Sequence, residues 1–502
     1  MQSGHTKFEK KSNLRNWNAS ALPKGLPCVS FAMEFNLFNK IGVAKSIPLA
    51  LGAVALAIAA IAQPPTASAL PSFARQTGQP CATCHTAFPE LTPYGREFKL
   101  RGYTAGGTRC GDVDRFTEEG AAEEEMQIPI AGMTTPSFTH VQKGLPDNNN
   151  SVVQQTSVFL GGQIYCNLGA FIQGTYDRPS QSVFLDNADI RYTNSTKVSG
   201  IDVLLGLTSN NNPTVQDVWN STPAWSFPYL SSEFAPSPGA STMIEGTFAG
   251  RVGSAGAYVW IDNMIYAEIT AYGSFDPGIL TTLGYDPGDG TPRFAGAAPY
   301  WRLGVEKTWD KNSLMVGTFG MLANIQPTAG AGSSALAFPV TDPFTDVGVD
   351  TEYQYIGDVH ALTLRASYIW ERQKLNGEFG AMASSNQIDE LSSFKASASY
   401  IYDHTISVTG GYFNTSGTSD VLLYTGAGFT TGSPNSNGWT ADLAYLPFSK
   451  GGPKIWPWLN GRIGITYTHY DKFDGSVSNV DQTPGRSAGN NDTTFIYTWW
   501  AF

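Results

Sequence analysis

Charge is scarce in this sequence: only 15% of its 502 residues are Asp, Glu, Lys or Arg, and the acidic ones outnumber the basic by 42 to 31. A net-negative chain without a basic stripe is a poor partner for nucleic acid. Cysteine is scarcer still, at five residues, which excludes a disulfide-stapled scaffold and repeated cysteine-based metal modules. Beyond residue 69 no apolar run approaches the roughly 20 residues that a membrane-spanning helix requires. If the mature chain crosses a membrane, it must do so with strands. What the sequence has in quantity is glycine, 53 residues, and aromatics, 12%, a mixture suited to strands and turns.

The one sustained apolar run lies near the N-terminus and reads as part of an export signal. Lys40 and Lys45 supply a basic flank, Ile47 to Ala62 the apolar stretch, and Ala67-Ser68-Ala69 a small-residue cleavage site. Residues 1–69 are therefore assigned to a signal peptide, with 1–32 as an over-extended start and Leu70 as the first mature residue. Removal leaves 24 Lys/Arg against 40 Asp/Glu, a net charge of −16.

Three of the five cysteine and six histidine positions are not scattered. Two cysteines and a histidine stand together as Cys81-Ala82-Thr83-Cys84-His85. The CxxCH spacing is what covalent attachment of haem c demands, with both thiols bonded to the porphyrin and the adjacent imidazole placed to reach the iron. A thioredoxin-like pair would need a βαβ context, and half of a zinc site would need a second ligand pair; neither is present. The motif predicts one covalent haem c, with Cys81 and Cys84 as thioether anchors and His85 as proximal iron ligand.

Downstream, Thr92 is placed to cap a short helix that opens on Pro93 and closes at Gly102. That helix carries Arg96, Lys99 and Arg101. Arg96 is the favoured partner for a haem propionate, the alternative being a solvated helix face. The segment of residues 70–126 has too few large apolar side chains to bury a porphyrin unaided. The rest of the chain must wall it in.

From residue 127 to 502 the sequence repeats alternating segments such as Ala188 to Thr193, Tyr300 to Trp309, Leu362 to Trp370 and Ala441 to Pro447. Short turns are expected near Cys166-Asn167, Asp262-Asn263, Asp310-Lys311, Gly357-Asp358 and Asp403-His404, with long polar loops between them. This is the pattern of an up-and-down outer-membrane β-barrel, and the even-number rule favours about 16 strands. The last segment, TFIYTWWAF, ends on Phe502 with Ile496 and Trp500 in the same parity. The fold class expected is thus an all-β membrane protein, an outer-membrane barrel with a small haem c segment plugging or lining its lumen.

Parity within the first strand sets Ile128, Ile130 and Phe138 toward lipid and Met133 toward the lumen. Met133 is accordingly the candidate sixth iron ligand, against the alternative of a lumen methionine that never touches iron. His140 lies on the lipid parity and Met126 precedes the strand, so both rank below it. Cys110 and Cys166 are the two unassigned mature cysteines, and a disulfide between them would fasten the haem segment to the rim of the barrel; two free thiols are the alternative. The loop NNNPTVQDVWN would constrict the pore if it folds inward. The acidic residues Asp276, Asp286, Asp289, Asp342 and Asp346 are placed in loops, where they serve solubility or attract cations.

Three stretches together resemble the fused monohaem cytochrome–porins of the outer membrane, best known from iron-oxidising bacteria. They are LPSFARQTGQPCATCHTAFPELTPYGREFKLRGYT, NNNPTVQDVWNSTPAWSFP and the barrel region through TWWAF. The resemblance implies a haem segment within a sixteen-stranded porin that takes electrons from extracellular Fe(II) and passes them to a periplasmic cytochrome c. Another extracellular donor or acceptor, or a porin whose haem segment is only a plug or sensor, are the competing readings.

Overall fold

The computed structural model describes residues 70–104, 129–143, 148–177, 181–246, 248–327, 340–424, 431–452, 455–478 and 485–502. The expected signal peptide, Cys110, Met126 and Ile128 lie outside these.

Among the described residues the strands form one closed antiparallel sheet. They are β1 (Ile130–Val141), β2 (Asn150–Tyr165), β3 (Leu168–Asp177), β4 (Ser182–Val198), β5 (Ile201–Asn210), β6 (Val252–Ile261), β7 (Ile265–Ser274), β8 (Ala298–Trp309), β9 (Asn312–Gln326), β10 (Asp342–Ile356), β11 (His360–Lys374), β12 (Ile388–Tyr402), β13 (Ile406–Gly417), β14 (Ser436–Tyr445), β15 (Asn460–Lys472) and β16 (Thr493–Ala501). A two-residue piece, Arg293–Phe294, pairs with the end of β9. Each long strand pairs with its neighbour in sequence, and β1 pairs with β16, Met133 opposite Ala501, to close the ring. The sixteen-strand up-and-down expectation is met.

Closure leaves no unpaired edge, as a lipid-facing sheet requires. Polarity runs inside out. On β8 Arg302 and Glu306 are buried toward the lumen, while Leu303 and Val305 are each 51% exposed on the outside. The same alternation sets Val316 outside and Met315 inside on β9. Tyr165, Trp309, Tyr355, Tyr402 and Tyr445 are exposed at the strand ends beside the tight connections, forming a girdle at one rim.

At that rim the anticipated turns occur at Cys166-Asn167, 262–264, Asp310-Lys311, 357–359 and 403–405. Asp262, Asn263, Asp310, Asp403 and His404 take positive φ there, the geometry of tight hairpins that Asn and Asp tolerate. Sequence-based strand limits were less accurate: Pro447 falls beyond β14, and Asp342 and Asp346 sit on β10 with buried side chains. Their alternation with apolar neighbours resembles a loop only when the lumen is not recognised as polar.

Two segments enter the lumen. The first holds α1 (Pro71–Thr77), the single turn α2 (Cys81–Cys84) and α3 (Pro93–Leu100). The second is the connection between β5 and β6, residues 211–251, which crosses the barrel. It reaches β8 through Trp219 Nε1 on Glu306 Oε2 at 2.6 Å, β10 through Ile244 N on Asp346 Oδ2 at 2.9 Å, and β15 through Tyr470 OH on Pro236 O at 3.0 Å. The NNNPTVQDVWN stretch therefore folds inward.

Candidate functional site

The helical segment is built around Thr92. Its Oγ1 accepts from Gly95 N at 3.2 Å, capping α3, and donates to Thr83 O at 2.6 Å, so one side chain joins α3 to the CxxC turn. The two approach so closely that a Cβ on Gly95 would lie 2.2 Å from the Cys84 carbonyl oxygen; only glycine fits there. Ala82 N donates to Ser449 O at 3.0 Å, tying the turn to the connection between β14 and β15.

Buried ion pairs dock the segment on the barrel wall. Arg96 spends all three guanidinium nitrogens: Nε on Glu306 Oε2 at 3.1 Å, Nη1 on Glu352 Oε1 at 2.8 Å and Gln354 Oε1 at 2.9 Å, and Nη2 on Ser313 Oγ at 3.1 Å. The side chain expected to reach a haem propionate is thus committed to β8, β9 and β10. Glu90 accepts from Thr86 Oγ1 at 2.8 Å, Tyr229 OH at 2.6 Å, Ser399 Oγ at 2.5 Å and Arg365 Nη1 at 3.0 Å. Burial alone would raise its carboxyl, but Arg365 and the hydroxyl donors outweigh it and hold the group below the usual carboxylate range.

Between the segment, the wall and the inward connection lies a cavity of about 320 Å³ whose lining includes Cys84, His85, Phe88, Lys99, Met133 and Trp499. Phe88 stands between His85 and Trp499, with ring centroids 5.2 Å and 4.7 Å away. Cys81 is buried against Trp456. A second cavity of about 360 Å³ occupies the lumen beyond, and Asn220, Ser226 and Pro228 line both, forming a partition from the inward connection.

Met133 points inward as parity required, 3% exposed and packed with Leu70, Ala131 and Phe159. It shares the cavity with His85. His140 is exposed on the outside. Cys166 is disulfide-bonded, while Cys110 lies outside the described residues. Sequence reasoning overlooked Trp499, although it has the parity of the inward-facing Phe495 and Tyr497, opposite to that of Ile496 and Phe502. It also passed over Glu90, Tyr229 and Arg365, whose association depends on contacts across the closed ring.

The chemistry of these side chains suits a covalently attached haem. Cys81 and Cys84 are free thiols, and burial pushes both up, Cys84 to about 12. They are not poised as thiolates for redox exchange. Among the described residues no group of three or more His, Cys, Asp or Glu could hold a metal ion by itself. Burial lowers His85 to about 4, against smaller opposing effects of the Pro89 and Glu90 backbone and the Glu90 carboxylate. It is neutral at ordinary pH, the ligating form of imidazole. Its Nδ1 is buried without a hydrogen-bond partner, and the Pro89 and Glu90 backbone lies beside the ring.

A closed ring, polar inside and apolar outside, with one rim of tight turns and a connection folded across the lumen, decides the architecture. The fold is a porin-like β-barrel. No family model matches the sequence, and no curated protein does. Salmonella typhi OmpF in complex with daunomycin aligns at 14% identity over 74% of this chain and 97% of its own, with a TM-score of 0.44. The anion-selective porin from Comamonas acidovorans aligns at 12% over 74% and 98%, with a TM-score of 0.42. The outer membrane channel DcaP of Acinetobacter baumannii aligns at 10% over 74% and 96%, with a TM-score of 0.39.

Proposed function

We propose that this porin-like barrel resides in the bacterial outer membrane and carries one covalent haem c, through which electrons pass from an extracellular donor, Fe(II) foremost, to a periplasmic cytochrome c or other acceptor. The observation that carries the reading is the position of CxxCH: Cys84 and His85 line a cavity enclosed by the barrel. A haem in such a cavity supplies a one-electron couple inside the wall that separates the two compartments. Cys81 and Cys84 would hold it, and His85 would ligate its iron. Phe73, Phe88, Phe159, Phe171 and Trp499 supply apolar and aromatic walls, and the partition at Asn220, Ser226 and Pro228 stands between it and the outer cavity.

Rapid mixing of the haem-loaded protein in detergent with Fe(II) tests this reading. The expected result is growth of the reduced α-band; a colourless product from cells competent in cytochrome c maturation, or a haem that Fe(II) leaves oxidised, would count against haem and donor respectively.

Met133 completes the proposal as the sixth ligand, since its thioether shares the cavity with His85. A His/Met pair raises the potential relative to haem lacking the methionine. Met133→Ala is expected to convert a low-spin spectrum to a high-spin one and to lower the potential. An unchanged spectrum would assign the sixth position elsewhere.

A further inference from the structure

Arg96, the favoured propionate partner, is fully engaged with the wall, which raises the question of which charge faces the cofactor. Lys99 is the one Lys or Arg among the described residues that line the cavity. Its side chain is 8% exposed. Nζ donates to Val215 O at 2.7 Å and Asp217 O at 2.8 Å and lies 4.8 Å from the centroid of the Trp225 ring. Helix geometry agrees with the choice: Lys99 follows Gly95 by four residues and lies about 40° from it around the axis, both line the cavity, and Arg96 lies about 100° from Gly95. The lining also includes the polar Gln173, Asp186, Asn187 and Asp217, while the Phe88 ring packs against both His85 and Trp499.

We infer that Lys99 is the positive group that tunes the haem of this cavity, coupling the gain of an electron there to retention of a proton on its ammonium. The inference rests on the haem reading above. A buried ammonium favours the more negative, reduced state of a nearby centre, and loss of its proton removes that help. Burial pulls Lys99 down to about 7; Arg191 acts in the same direction, and Asp189, Asp217 and Glu268 oppose it. These four, with Asp186 on the cavity wall, are the charged groups that face it from β4, β7 and the inward connection.

The sign follows from the charge. Below the Lys99 pKa the ammonium is present and the midpoint potential is high. As pH rises through that pKa, the oxidised state releases its proton first and the potential falls, levelling once both states are neutral at the lysine. Spectroelectrochemical titration of the haem-loaded full chain, over roughly pH 6 to 9, reads this directly. The wild type is expected to slope downward, and Lys99→Met to show a slope at least twofold shallower at a lower potential. Lys99→Arg retains the charge and does not titrate, so it should hold the high potential across the range; it also serves if the Met variant fails to fold. Equal slopes in wild type and either variant would overturn the inference while leaving the haem intact. A wild type that carries no covalent haem would instead overturn the functional proposal, and this inference with it.

Discussion

Replacing both Cys81 and Cys84 by Ser should reduce covalently bound haem by tenfold or more, to about background, while the barrel still assembles. Peroxidase staining after denaturing electrophoresis measures the first, and resistance of the folded barrel to protease in detergent measures the second. The separation is expected because the strands close on one another, β1 to β16, through main-chain bonds that need neither thiol. Cys81 packs against Trp456 in the connection between β14 and β15 rather than on a strand. Retention of covalent haem in the double variant would remove the basis for every redox role assigned to the protein.

The second large effect is expected at Arg96. Its guanidinium is paired with Glu306 and Glu352, with side chains only 2–4% exposed. Removing one member of a buried charge network leaves the others unpaired, at a cost of about 3–5 kcal/mol. Arg96→Met should therefore loosen the N-terminal segment from the wall rather than unfold the sheet, since the strand ladders are untouched. Single-channel recording should show larger and more variable conductance, and protease should cut between α1 and α3. A conductance equal to wild type would show that the remaining contacts of Glu90, Lys99 and Tyr103, whose OH donates to Asp189 Oδ2 at 2.6 Å, hold the segment without it.

Much of this architecture was legible because it depends on local rules. Period-two alternation marked the strands, Asp and Asn marked the tight turns where the backbone takes positive φ, and Thr92-Pro93 marked the start of α3, whose cap is observed. Met133 was placed inward by parity alone. Long-range pairing was not legible. Arg96 meets Glu306 and Glu352, 210 and 256 residues away, and nothing in its neighbourhood distinguishes it from a cation beside a cofactor. Once Gly95 was recognised as the face against Cys84, its i, i+4 spacing to Lys99 would have favoured Lys99 over Arg96. Asp342 and Asp346 were misplaced for a related reason: inside this barrel charge is buried and oil is outside, so carboxylates on a strand look like loop residues to rules learned from water-soluble cores.

The burial of Cys81 also bears on how the protein is made. Its side chain is 2% exposed, beneath the connection that follows β14, and a thiol so covered cannot be presented to a modifying enzyme. On the haem reading proposed above, thioether formation would have to precede closure of the ring, and the pigmented segment would then be enclosed as the first and last strands, β1 and β16, pair. That reading orders biogenesis, with colour acquired before the barrel is sealed.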